Sequence, residues 1–214
     1  MKYELIVFDM DGTILDTLED LKNSMNHTLR LYNMPERTLD EIRSFVGNGI
    51  RKLIERAVVS GTSDEMIEII HKDFMKHYEI HCADFTKPYN GVNSLIQELR
   101  NRGYKTAVVS NKAHDAVLDL CDQYFPALFD VALGEKPEIA KKPAPDMVNL
   151  VLDQLQISRK KAVYIGDSDV DVATARNSNL DMIAVDWGFR TREFLTEQGA
   201  DTIVSNPEEI LNLV

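Results

Sequence analysis

From Pro88 onward, short apolar runs alternate with stretches of helical period, and this alternation constrains the fold more than any other feature of the chain. Residues 105–111, 129–133, 162–165, 182–185 and, more weakly, 202–205 read as strands bounded by turn signals. Between them Val92, Leu95, Ile96 and Leu99, then Val117, Leu120 and Tyr124, recur at helical spacing. A further set, Met147, Val148, Val151, Leu152 and Leu155, follows Pro145, which a first helical turn tolerates. Alternating strands and helices predict a parallel sheet covered on both faces. Another apolar run, Ile6-Val7-Phe8, supplies a first strand far upstream. The chain between that strand and the next greatly exceeds the dozen or so residues that a crossover needs.

The excess reads as helical. Leu18, Leu21, Met25, Leu29 and Tyr32 mark one helix, closed by Pro35. Ile50, Leu53, Ile54, Ala57 and Val58 mark a second after Gly47-Asn48-Gly49. Met66, Ile67, Ile70, Phe74 and Tyr78 mark a third, behind a Thr62–Glu65 capping-box pattern. The expected organisation is a core of residues 1–15 and 86–214 with a helical cap of residues 16–85. The cap is expected above the carboxyl ends of the strands, where open α/β sheets bind ligands.

The first strand runs into Asp9-Met10-Asp11-Gly12-Thr13. Side chains two apart leave a strand on the same face, so the two carboxylates should project together. At ~4 Å and an effective dielectric of ~20 they repel by roughly 4 kcal/mol, which a divalent cation or a shared proton would offset. Three later segments carry matching chemistry: Ser110-Asn111 at the end of a strand, the basic, proline-stiffened Lys141-Lys142-Pro143-Ala144-Pro145, and Gly166-Asp167-Ser168-Asp169-Val170-Asp171 after another strand.

In this order the four segments resemble the motifs of the haloacid dehalogenase superfamily, over almost the whole chain. The resemblance implies a Rossmann-like core and a Mg²⁺-dependent phosphatase working through an aspartyl-phosphate. It makes Asp9 the nucleophile and Asp11 the acid–base, with Gly12, Ser110, Asn111 and Lys142 on the phosphate. Mg²⁺ would be bound by Asp9, the backbone carbonyl of Asp11, and Asp167. Asp171 would hold a metal-bound water or orient Lys142, and Asp169 is a weaker candidate for a similar task. Lys142 is preferred to Lys141 because it directly precedes the proline. The helical cap, the Gly47-Asn48-Gly49-Ile50-Arg51 loop and Trp187-Gly188-Phe189-Arg190 resemble the phosphoglycolate phosphatase branch. In that branch, Gly47, Asn48, Gly49 and Arg51 would set substrate specificity. Glycines ahead of a helix expose N–H groups to an anion, and Arg51 offers a fork for a carboxylate.

Composition narrows the partners. A net charge of −11 argues against nucleic acid, which needs a basic stripe, and leaves a phosphate substrate dependent on local cations. The leading apolar run is too short for a signal peptide or a membrane span. Cys82 and Cys121 form no disulfide framework, which suits a cytoplasmic setting. The expected partner is a small phosphorylated metabolite, with phosphoglycolate favoured and oligomeric state left open. Alternatives are a broader phosphatase for nucleotides, sugar phosphates or pyrophosphate, and a receiver-like phosphorylatable module. The module has no use for a cap of roughly 70 residues.

Overall fold

Leu5–Phe8 form strand β1, and in the computed structural model, which describes residues 2–214, none of the four is more than 1% exposed. Such burial suits a strand with neighbours on both edges and layers on both faces. The chain continues through β2 (Leu15–Asp16), α1 (Leu18–Leu31), α2 (Leu39–Phe45), α3 (Ile50–Ala57), α4 (Asp64–His81) and β3 (Lys87–Pro88). It then alternates α5 (Val92–Asn101), β4 (Lys105–Ala113), α6 (His114–Tyr124), β5 (Val131–Glu135), α7 (Asp146–Leu155) and β6 (Ala162–Gly166). Last come α8 (Asp169–Ser178), β7 (Asp181–Val185), α9 (Arg192–Glu197), β8 (Ile203–Val204) and α10 (Pro207–Ile210).

Two compact units result: residues up to Leu15 with Pro88–Val214, and Asp16–Lys87. The first is an α/β fold around a six-stranded sheet of order β5-β4-β1-β6-β7-β8, its pairs parallel. Phe8 lies opposite Val108 on one side and Ile165 on the other. The chain leaves β1 for β4 and β5 on one side and later returns to β6 on the other. That reversal makes the carboxyl end of β1 the topological switch point at which such sheets bind ligands. Leu5, Val7, Val109 and Tyr164 from the sheet pack with Met147, Val148, Val151 and Leu152 of α7 in one core cluster.

Two strand expectations shift. Strand β5 begins at Val131, two residues later than expected. Strand β4 runs on to Ala113, and its register with β5 slips between Val109 and Ala113. A bulge of this kind bends a strand and re-aims its side chains, and here it contains Ser110, Asn111 and Lys112.

The second unit is built on α1 and α4, joined by a Tyr32–Asp73 hydrogen bond of 2.6 Å. Helix α2 spans only two turns, with Leu39, Ile42 and Phe45 at helical spacing, and Thr38 and Glu41 close a full capping box at its start. The expected Thr62 cap on α4 is corrected. Thr62 donates its hydroxyl to the Val59 carbonyl, and Ser63, one residue on, accepts the Met66 N–H. Glu65 thus sits at the second helical position, too early to close a box. Among the described residues no helix is long and apolar enough to cross a membrane.

Asp20 ties the start of this unit to its end. Its buried carboxylate accepts the backbone N–H groups of Phe85 (3.0 and 3.1 Å) and Thr86 (2.8 Å) and the Thr86 hydroxyl (2.8 Å). Asp20→Ala strands the Phe85 and Thr86 N–H groups, while the Thr86 hydroxyl still has the Cys82 carbonyl at 3.0 Å, and is expected to lower the free energy of unfolding by about 2–4 kcal/mol in chemical denaturation. Asp20→Asn, which keeps one acceptor oxygen, should cost less. A loss below about 0.5 kcal/mol for the alanine variant would contradict this reading.

Candidate active site

Asp9 follows β1 directly and still donates its N–H to the Ile165 carbonyl at 2.8 Å, so the sheet fixes its backbone. Its Oδ1 accepts the Met10 N–H at 2.7 Å and lies 2.7 Å from Lys142 Nζ. The chain then reverses. The Met10 carbonyl accepts N–H groups from Thr13, Ile14 and Leu15, and Gly12 sits at φ +90°, a conformation natural to glycine. A Cβ on Gly12 would overlap the Asp167 carboxylate, so the absent side chain also lets the two loops meet.

Asp167 follows β6 and is fully buried. Thr13 donates its hydroxyl to Oδ1 at 3.0 Å, and Phe189 donates its N–H to Oδ2 at 2.7 Å. Trp187 Nε1–H donates to the Thr13 carbonyl at 3.0 Å. The Trp187-Gly188-Phe189 segment therefore braces the acidic cluster from within the sheet unit. Arg190 adds a 3.4 Å contact to Asp169, which otherwise occupies the first turn of α8.

Asp171 closes the arrangement. Its Oδ2 accepts the Ser168 N–H (3.1 Å) and hydroxyl (2.6 Å) as the third residue of a capping box on α8. Its Oδ1 accepts from Lys142 at 2.8 Å and from the Tyr164 hydroxyl at 3.1 Å. Lys142 Nζ also lies 3.1 Å from the Tyr164 oxygen. The neighbouring Lys141 is exposed and pairs with Glu135 at 3.4 Å. Asn111 holds the lysine loop in place, donating to the Lys142 carbonyl at 3.0 Å and accepting its N–H at 2.8 Å. Ser110 is buried, and its hydroxyl oxygen accepts the Lys112 N–H at 3.2 Å.

Carboxylate oxygens of Asp9, Asp167 and Asp171 all lie within 4.8 Å of one another, and all three residues are buried. Burial, then the Asp171 charge, raises Asp9 well above the ordinary carboxylate range, with Lys142 opposing. The same two causes push Asp167 up to about 7, against the pull of the Phe189 N–H and the Thr13 hydroxyl. Burial acts to lower Lys142, but Asp171 and Asp9 outweigh it and hold the ammonium well above its usual value. Fully ionised, three carboxylates around one ammonium would carry an excess of negative charge in a dry place, which is why Asp9 and Asp167 hold their protons. That excess fits a hard divalent cation with oxygen ligands. The Asp11 side chain stands outside this cluster, half-buried, with Oδ1 3.2 Å from Lys112 Nζ. Sequence reasoning singled out neither Thr13, Tyr164 nor Lys112 as a site residue.

Gly47, Asn48, Gly49 and Arg51 belong to the helical unit. Gly49 precedes α3, and Asn48 Oδ1 accepts from Arg56 at 2.8 Å. The Arg51 guanidinium is surrounded by acids: Glu55 at 3.0 Å, Glu68, and Asp64 at 3.9 Å.

A family model for haloacid dehalogenase-like hydrolases matches residues 6–185, and the chain belongs to that family. It is similar, at 32% identity over 98% of its length and 91% of the relative's, to a phosphoglycolate phosphatase of Psychrobacter arcticus. It is also 26% identical to an N-acetylmuramic acid 6-phosphate phosphatase of Pseudomonas aeruginosa, over 100% of this chain and 96% of the relative. Among solved structures, a candidate phosphoglycolate phosphatase of Lactobacillus delbrueckii subsp. bulgaricus superposes with a TM-score of 0.95. It is 37% identical, over 100% of this chain and 98% of that one. The family match sets aside the receiver-like module.

Because Asp167 titrates near 7 in the folded protein against 3.8 for an unperturbed aspartate, the cation-free fold keeps a proton that the unfolded chain has released. Its stability therefore falls as pH rises from about 4 to about 7. A cation competes with that proton, so Mg²⁺ should stabilise more at high pH. At about a hundredfold excess over Kd, ~2.7 kcal/mol of linkage corresponds to a Tm rise of about 5–10 °C. We expect that rise at pH 8 and less than half of it at pH 5.5, measured by calorimetry. Equal shifts at both pH values, or an undiminished shift in Asp167→Asn, would contradict the assignment.

Proposed function

We propose that the chain is a Mg²⁺-dependent phosphoric monoester hydrolase acting through a phosphorylated Asp9, with phosphoglycolate its favoured substrate. The observation that carries this reading is the buried Lys142 ammonium between Asp9 and Asp171, beside Asp167 and at the switch point of the sheet. The family match and the phosphatases among the relatives support it.

Asp9 attacks phosphorus as its carboxylate, and the bond to the leaving alkoxide breaks. Asp11 gives that alkoxide its proton, then takes one from the water that cleaves the aspartyl-phosphate. Inorganic phosphate leaves, and both aspartates return to their starting states. Ser110, with the backbone N–H group of Asn111, holds the phosphoryl oxygens, and Lys142 neutralises their charge and orients Asp9; the Gly12 N–H, expected on the phosphate, donates instead to the Leu15 carbonyl at 2.9 Å. Asp9, Asp167 and the Asp11 carbonyl would hold Mg²⁺, which supplies positive charge to the phosphate. Asp171 has both oxygens engaged by Lys142, Tyr164 and Ser168, so we assign it to positioning Lys142. Residues Gly47, Asn48, Gly49 and Arg51 are proposed to contribute to specificity from the helical unit. The N-acetylmuramic acid 6-phosphate phosphatase among the relatives favours a sugar phosphate as the second reading.

A turnover panel of phosphoglycolate, sugar phosphates, nucleotides, pyrophosphate and p-nitrophenyl phosphate tests this function. Phosphoglycolate should give the highest kcat/KM, and excess chelator should abolish turnover. Asp9→Asn should remove essentially all activity. Asp11→Asn should cost about 10²–10⁴-fold on alkyl phosphates, the worth of a general acid, and clearly less on p-nitrophenyl phosphate, whose leaving group needs little help. Full activity in chelator, or equal losses across leaving groups for Asp11→Asn, would contradict the mechanism.

A further inference from the structure

We infer that Lys112 determines specificity, its ammonium receiving the carboxylate of a phosphorylated α-hydroxy acid. The inference rests on the reading of Asp11 as the acid that meets the leaving oxygen.

Among the described residues the buried lysines are Lys112 and Lys142. A long cationic side chain ordinarily carries its charge out to water along its own stem. Lys112 instead keeps its side chain at 4% exposure, with Nζ 3.2 Å from Asp11 Oδ1. Burying an ammonium is expensive unless it is paired. The two buried lysines divide the site between them. Lys142 serves the nucleophile side, between Asp9 and Asp171. Lys112 stands on the leaving-group side, against the carboxylate that lies outside the acidic cluster. It reaches that position from the bulged end of β4, two residues beyond Ser110.

This placement matches one feature of the substrate. A general acid must approach the leaving oxygen to about 2.6–3.2 Å, so an ammonium touching that acid stands roughly 5–6 Å from the same oxygen. In a phosphorylated α-hydroxy acid the carboxylate is attached to the carbon next to that oxygen. Its own oxygens fall roughly 3–4 Å from the leaving oxygen, between it and the ammonium. With a net charge of −11, the chain has little long-range attraction to offer a dianion or trianion. A buried cation placed where the second negative group arrives supplies it locally. Arg51 is less suited, because Glu55, Glu68 and Asp64 already surround its guanidinium.

The test compares phosphoglycolate with ethyl phosphate, which has the same two-carbon leaving group without the carboxylate. The quantity read is the ratio of their kcat/KM values in the wild type, Lys112→Met, Lys112→Gln and Lys112→Arg. A charge-assisted hydrogen bond corresponds to about ten- to hundredfold in affinity. The methionine and glutamine variants should therefore lower the ratio by ten- to hundredfold, chiefly through KM for phosphoglycolate, and Lys112→Arg should recover part of it. If the methionine variant does not fold, the glutamine and arginine variants carry the comparison. Equal falls for both esters, with an unchanged ratio, would overturn the inference and leave Lys112 only as a support for Asp11. Failure of the wild type to release phosphate from either ester would overturn the hydrolysis itself.

Discussion

Lys142 places its ammonium 2.7 Å from Asp9 and 2.8 Å from Asp171 with 2% of its side chain exposed, and the arrangement of the sheet unit follows from satisfying it. Charges this dry must be paired on every side, because removing one partner leaves the other uncompensated. Hence Asn111 grips the lysine loop through both main-chain groups, Tyr164 reaches up from β6, and Ser168 holds the far oxygen of Asp171. The ammonium also opposes the burial and the Asp171 charge that favour the protonated form of Asp9. Fold and chemistry meet in this contact. The strand order puts β1 between β4 and β6, and each strand delivers one part of the charge balance at its carboxyl end.

A second consequence is the bracing of Asp167. Each of its two oxygens has its own donor, the Thr13 hydroxyl on Oδ1 and the Phe189 N–H on Oδ2. The Trp187 indole in turn holds Thr13 in place. Glycine at position 12 is needed both for the turn and for the approach of this carboxylate. A carboxylate held this firmly does not swing away when its proton is removed, which suits it to binding a cation without rearrangement.

The α/β class could be read from the alternation of apolar runs with helical periods, since burying a parallel sheet on both faces leaves a direct imprint on composition. Asp9, Ser110, Lys142 and Asp167 stood out because each ends a strand or fills a proline-stiffened loop, where side chains leave regular structure. Thr13, Tyr164 and Lys112 did not. Tyr164 looks like any apolar strand residue until its hydroxyl finds Lys142, 22 positions away, and Lys112 lies 101 positions from Asp11. Such pairings arise from tertiary closure and leave no local pattern. The bulge in β4 is equally silent, because two extra residues in a strand change neither hydrophobicity nor turn signals. Helix α2 was legible but brief: Leu39, Ile42 and Phe45 recur at helical spacing over only two turns, behind the cap that Thr38 and Glu41 form.

Hydrolysis as proposed requires Asp9, its carboxylate held by Lys142, to be the group that becomes phosphorylated. Acyl phosphates are reduced by borohydride to the corresponding alcohol, so acid-quenching the enzyme during turnover and reducing it should convert the phosphorylated aspartate to homoserine. Peptide mass spectrometry is expected to find homoserine at position 9 in substrate-treated enzyme and aspartate there in untreated enzyme. Homoserine at position 11 or 167, or continued turnover with no reduced residue at any position, would contradict it.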